Sequence, residues 1–107
     1  MAPLKKTSER AYEFGCGLID EYRRRRPADD AERIVWRGLL RAGTSIGANY
    51  REAYRARPRA EFISKIGDCL KETDETLYWL ELLLDEKLVP ARRLQPLLVK
   101  QMNSWLS

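Results

Sequence analysis

Histidine is absent from the 107-residue chain, and with it the side chain most often used as a general base or metal ligand near neutral pH. Only two cysteines occur, Cys16 and Cys69, and they form no CxxC pair, so no zinc spacing exists. They read as small apolar side chains in a reducing compartment rather than as a disulfide. There is no GxxxxGK[ST] loop to cradle a phosphate, and the Glu-x-x-His pairs by which helix bundles hold two metals cannot be written without histidine. No apolar run reaches membrane length, and Lys5 and Lys6 are followed by Thr7, Ser8 and Glu9 rather than by the apolar core of a signal peptide. These gaps argue against an enzyme, a bound metal or cofactor, and a membrane partner; a cytoplasmic protein is expected. Six glycines and five prolines are too few for a disordered or turn-rich chain.

What is present is charge and helical periodicity. Charged residues make up 34% of the chain and hydrophobic ones 44%, which suits a single all-α domain over residues 1–107. The net charge of +4 is unevenly laid out: residues 1–59 hold fourteen Lys/Arg against eight Asp/Glu, and residues 60–107 hold six against eight. Such polarity fits a polyanion on the first half or the packing of one subunit's half on another's.

Apolar residues at spacings of three and four predict helices near 8–26, 30–56, 58–86 and 90–105, broken at Pro27, Pro58 and Pro90. Asp29 or Asp30 is a natural N-cap for the second. Short connections make consecutive helices antiparallel neighbours, so the expected architecture is an up-down-up-down four-helix bundle. Centring the second turn between residues 57 and 58 levels Arg41 with Asp74, flanked by Glu72 and Glu75, and levels Cys69 with Ile46. Cys16 lies about six residues away along the axis, beyond disulfide reach.

The second helix carries a polar stripe, Arg41, Ser45, Asn49 and Glu52, beside the small residues Ala42, Gly43, Gly47 and Ala48. Two readings compete: close helix packing with a polar seam that pairs Arg41 with Glu72 or Glu75, or a polar ligand site. Near the end of the third helix Leu77 to Leu84 is apolar almost all round. That excess makes Tyr78, Trp79, Leu82 and Leu83 candidates for a subunit interface. Arg51, Arg55, Arg57 and Arg59 alternate with Tyr50 and Tyr54, a pattern able to hold phosphates and stack bases, and Arg23, Arg24, Arg25 and Arg26 form a second basic run. The plainer account is that these arginines complement helix ends.

The combination Arg41-x-x-x-Ser45-Ile46-Gly47-Ala48-Asn49-x-x-Glu52, Glu61-Phe62-Ile63 and Leu70-Lys71-Glu72-Thr73-x-Glu75-Thr76-x-Tyr78-Trp79-Leu80 resembles the small four-helix-bundle proteins encoded in intervening sequences of 23S rRNA genes. The accessory variability proteins of diversity-generating retroelements are similar to these. The resemblance spans residues 8–105 and implies a homopentamer. For retroelement members it implies binding to RNA or DNA and to a reverse transcriptase, and for this chain RNA or single-stranded DNA is the expected ligand. The expected function is therefore that of a non-catalytic, homo-oligomeric nucleic-acid-binding accessory protein. The alternative is an oligomeric scaffold whose partner is a protein and which binds no nucleic acid.

Overall fold

A computed structural model describes residues 2–88, with side chains from residue 6 onward. Three helices run antiparallel in sequence order: α1 (Ala2–Arg25), α2 (Asp30–Arg55) and α3 (Arg59–Asp85). The up-down-up-down four-helix bundle is thereby corrected, because three helices and no strand are found among the described residues. The helix expected over 90–105 lies outside them. Helix α1 begins at Ala2 rather than near residue 8, since Pro3 falls in the first turn, where its missing N–H is not needed.

Each helix end has a local cause. Helix α1 stops where Arg26 turns left-handed at φ 47°, ahead of Pro27, and its N–H still reaches Tyr22 O at 3.0 Å. Asp29, not Asp30, caps α2: its backbone is extended and its carboxylate accepts from Glu32 N at 2.8 Å. Pro58 precedes α3 without a side-chain cap. The C-terminus of α3 is a Schellman motif: Leu88 N donates to Leu83 O and Lys87 N to Leu84 O, with Lys87 left-handed at φ 55°. Leu88 packs on the core beside this turn.

Helix α2 is the shared wall, with α1 and α3 both packed against it. Trp36, Leu39 and Ile46 of α2 meet Ala11, Phe14 and Leu18 of α1 and Leu80 and Leu83 of α3 in one core. Tyr22 stands edge-on to Trp36 with ring centroids 5.7 Å apart. Close approach is permitted by glycines. A Cβ on Gly47 would stand 3.4 Å from the Tyr12 backbone N, one on Gly43 would enter the Leu18 side chain, and one on Gly38 would lie 2.2 Å from the Trp79 indole. The small residues of α2 thus serve helix packing on both sides, Gly43 and Gly47 against α1 and Gly38 against α3.

Candidate nucleic-acid interface

The polar stripe of α2 faces outward and toward α3. Arg41 holds Glu75 through Nη2 and stands 3.8 Å from Glu72 through Nη1. The Arg41 side chain is 56% exposed, so this is a surface ion pair rather than the buried or half-buried one its level on α3 suggested. Such a pair stabilises by about 0–1 kcal/mol. Ser45 Oγ donates to Arg41 O of its own helix at 2.6 Å, as Thr73 and Thr76 do to Cys69 O and Glu72 O on α3. Glu52 pairs with Lys65 at 2.5 Å, and that contact raises the Lys65 pKa. Asn49 is half-buried beside them. Deeper in the same seam, Cys69 Sγ donates to Ile46 O at 3.8 Å. Burial, helped by the Asp68 charge, pushes the Cys69 thiol up to about 11, which leaves it un-ionised and unreactive at neutral pH. Cys16 is a free, exposed thiol.

The two basic runs lie at opposite ends of the α1–α2 pair. At one end Arg24 sits 3.9 Å from Glu21, and Arg25 is drawn inward, donating to Leu88 O and lying 3.5 Å from Glu32. Arg23 and Arg26 are exposed and share a surface hollow with Tyr22 and Pro27. At the other end Arg55 and Arg57 line a shallow hollow together with Glu52, Glu61 and Lys65, so charge there is mixed. Arg51 turns the other way, toward Tyr12 and Cys16 of α1. Arg59 opens α3 and is exposed. Among the described residues no ion pair engages Arg23, Arg26, Arg51, Arg55, Arg57 or Arg59. Sequence reading passed over Arg33 and Arg37, although their spacing of four before Arg41 puts all three on neighbouring parts of one helix face.

Of the four residues considered for a subunit interface, Tyr78 is 55% exposed and edge-on to Trp79, while Trp79 and Leu82 are half-buried. Leu83 is fully buried, so its apolar surface is satisfied inside the protomer. Among the described residues no group of three or more Cys, Asp or Glu side chains is placed to hold a metal, and no helix is long and apolar enough to cross a membrane.

A sequence profile described as "23S rRNA-intervening sequence protein" matches residues 8–103. The crystal structure of a protein of unknown function from the S23 ribosomal protein family of Bacteroides thetaiotaomicron superposes with a TM-score of 0.77 at 32% sequence identity, covering 91% of this chain and 89% of that one. No curated protein matches.

Proposed function

The chain belongs to the 23S rRNA-intervening sequence protein family, and on that footing we propose that it is a non-catalytic, homo-oligomeric accessory protein that binds RNA or single-stranded DNA. The observation that carries this reading is the set of exposed arginines without an intramolecular partner among the described residues: Arg51, Arg55, Arg57 and Arg59 around the α2–α3 corner, and Arg23 and Arg26 at the far end. Arginine heads not engaged in ion pairs are available to phosphates, which they bind through several hydrogen bonds at once. A cyclic assembly, five-fold by resemblance, would repeat each weak contact around one axis and raise avidity. A retroelement reverse transcriptase is the protein partner that the resemblance supplies, and a pull-down with that enzyme tests it.

The test of nucleic-acid binding is fluorescence anisotropy with a labelled RNA at several salt concentrations. The parent should bind at low salt with a log–log slope of about 0.7 per phosphate neutralised. Changing Arg51, Arg55, Arg57 and Arg59 together to Glu should abolish binding in a protein that keeps its helicity. A parent that fails to bind at low salt would favour the protein scaffold.

A further inference from the structure

Three surface hollows lie in series, the first at the C-terminal end of α1 and the other two along the outer groove between α1 and α2. The first is shared by Tyr22, Arg23 and Arg26; the second by Tyr22, Ile19, Arg33, Arg37 and Arg41; the third by Ile19, Tyr12, Thr44 and Arg51. Tyr22 joins the first to the second, and Ile19 and Thr44 join the second to the third, so the hollows form one track. No Asp or Glu lines any of them. This contrasts with the α2–α3 corner, where Glu52 and Glu61 share the hollow with the arginines.

The track has two chemically distinct sides. On α2, Arg33, Arg37, Thr44 and Arg51 follow one another at helical spacings of four, seven and seven, a rail about 27 Å long at 1.5 Å per residue. Among the described residues Arg37 and Arg51 have no ion pair. Arg33 is held by the 93% exposed Asp30 at 2.7 Å and by Ala28 O at 3.3 Å, exposed contacts weak enough to exchange for a phosphate. On α1 the side is uncharged along most of its length: Tyr12 is 60% exposed, Ile19 is exposed and Tyr22 half-buried.

We propose that this groove is the bed of a single nucleic-acid strand lying parallel to the helices, with its phosphates on the Arg33–Arg37–Arg51 rail and its bases against Tyr12 and Ile19. The inference rests on the nucleic-acid reading above and gives it a path, since the groove links two arginine groups that sequence reading left at opposite ends. Arginines on one helix face, with Thr44 between Arg37 and Arg51, beside an aromatic and apolar wall match a strand in which every residue carries one charge and one flat face. A duplex turns its phosphates outward and its bases inward and cannot use both sides.

Anisotropy titrations of the full chain test the proposal with labelled oligouridine, oligothymidine and a duplex of equal length. Arg37 and Tyr12 belong to the groove alone. Arg37→Glu should weaken single-strand binding roughly tenfold and lower the salt slope by about 0.7, while Arg37→Lys restores the slope. Tyr12→Ala should weaken binding about tenfold at unchanged slope. Affinity should also climb as the strand lengthens from about four to about eight nucleotides, the length that a rail of about 27 Å spans at about 3.4 Å per nucleotide, and level off beyond it. Uridine and thymidine strands that bind equally leave the strand chemistry as stated, and a preference for either names the natural source. If both groove variants bind like the parent while Arg57→Glu/Arg59→Glu loses binding, the groove is wrong and the broader reading survives. If the parent binds neither strand, or binds only an acidic peptide, both fail. A duplex bound as tightly as the strand also overturns the groove.

Discussion

Two glycines in similar helical surroundings should respond to alanine with opposite signs. Gly38 lies inside α2 and Gly67 inside α3, and each gives up about 1 kcal/mol of helix propensity relative to alanine. A Cβ at Gly67 meets nothing within 4 Å. Gly67→Ala should therefore recover most of that 1 kcal/mol, worth about 4–8 °C in Tm for a domain of this size. At Gly38 the new methyl would stand 2.2, 2.5 and 2.7 Å from three atoms of the Trp79 indole. A fused ring cannot swing aside as a flexible side-chain end can, and overpacking of this kind costs about 1–3 kcal/mol. Set against the propensity gain, Gly38→Ala should be net destabilising by about 1 kcal/mol, lowering Tm by several degrees. The assay is thermal unfolding followed by circular dichroism, repeated in a Trp79→Leu background. There the clash is absent, and Gly38→Ala should become neutral or stabilising, with a coupling energy above about 0.5 kcal/mol. If Gly38→Ala raised Tm as Gly67→Ala does, the close seating of α3 on α2 at this point would be refuted.

Three further outcomes are expected. Lys87→Gly should raise stability by up to about 1 kcal/mol, because φ 55° in the Schellman turn is strained for any residue with a Cβ; Lys87→Ala, measured alongside by urea unfolding, should not. Because the Cys69 thiol ionises near 11 when folded against 9.0 as its ordinary value, the folded state binds this proton more tightly than the unfolded one. Its contribution, on the order of 2 kcal/mol, should be complete below pH 9 and fade as pH rises toward 11, and Cys69→Ala should flatten that alkaline limb in denaturant titrations. Arg41→Met should change unfolding free energy by less than about 1 kcal/mol, since the pair with Glu75 is solvent-exposed; a loss of several kcal/mol would show that Arg41 has a buried role.

How α2 lies on α3 is legible in the sequence, because a short turn centred between residues 57 and 58 fixes which residues share a level. Arg41 against Glu72 and Glu75, and Cys69 against Ile46, follow from that geometry alone. Rotation about each helix axis was harder to read. Leu77 to Leu84 is apolar almost all round, so the pattern could not separate buried Leu83 and Leu80 from Leu77 and Tyr78, which stay about half exposed. Two carboxylates, Glu21 and Glu32, are 7% exposed although nothing in their spacing distinguishes them from solvated glutamates. The arginines were legible as runs along the chain, yet their sorting depends on how α1 crosses α2: Arg51 falls to the α1 side while Arg55 and Arg57 fall to the corner with Glu61. Runs of adjacent charge stand out in the sequence, whereas isolated arginines at helical spacing, Arg33 and Arg37, gain meaning only from the groove that α1 and α2 form.

That α2 is the wall shared by its two neighbours has a kinetic consequence. For residues 2–88, both substantial helix interfaces join elements consecutive in the chain and separated by turns of only a few residues. Forming either hairpin closes a short loop, and such local topologies fold on microsecond to millisecond timescales. Since α2 is common to both hairpins, it belongs to the nucleus whichever forms first. Substitutions at Leu39 or Ile46 should slow folding, whereas those at the outer ends of α1 or α3 should chiefly speed unfolding.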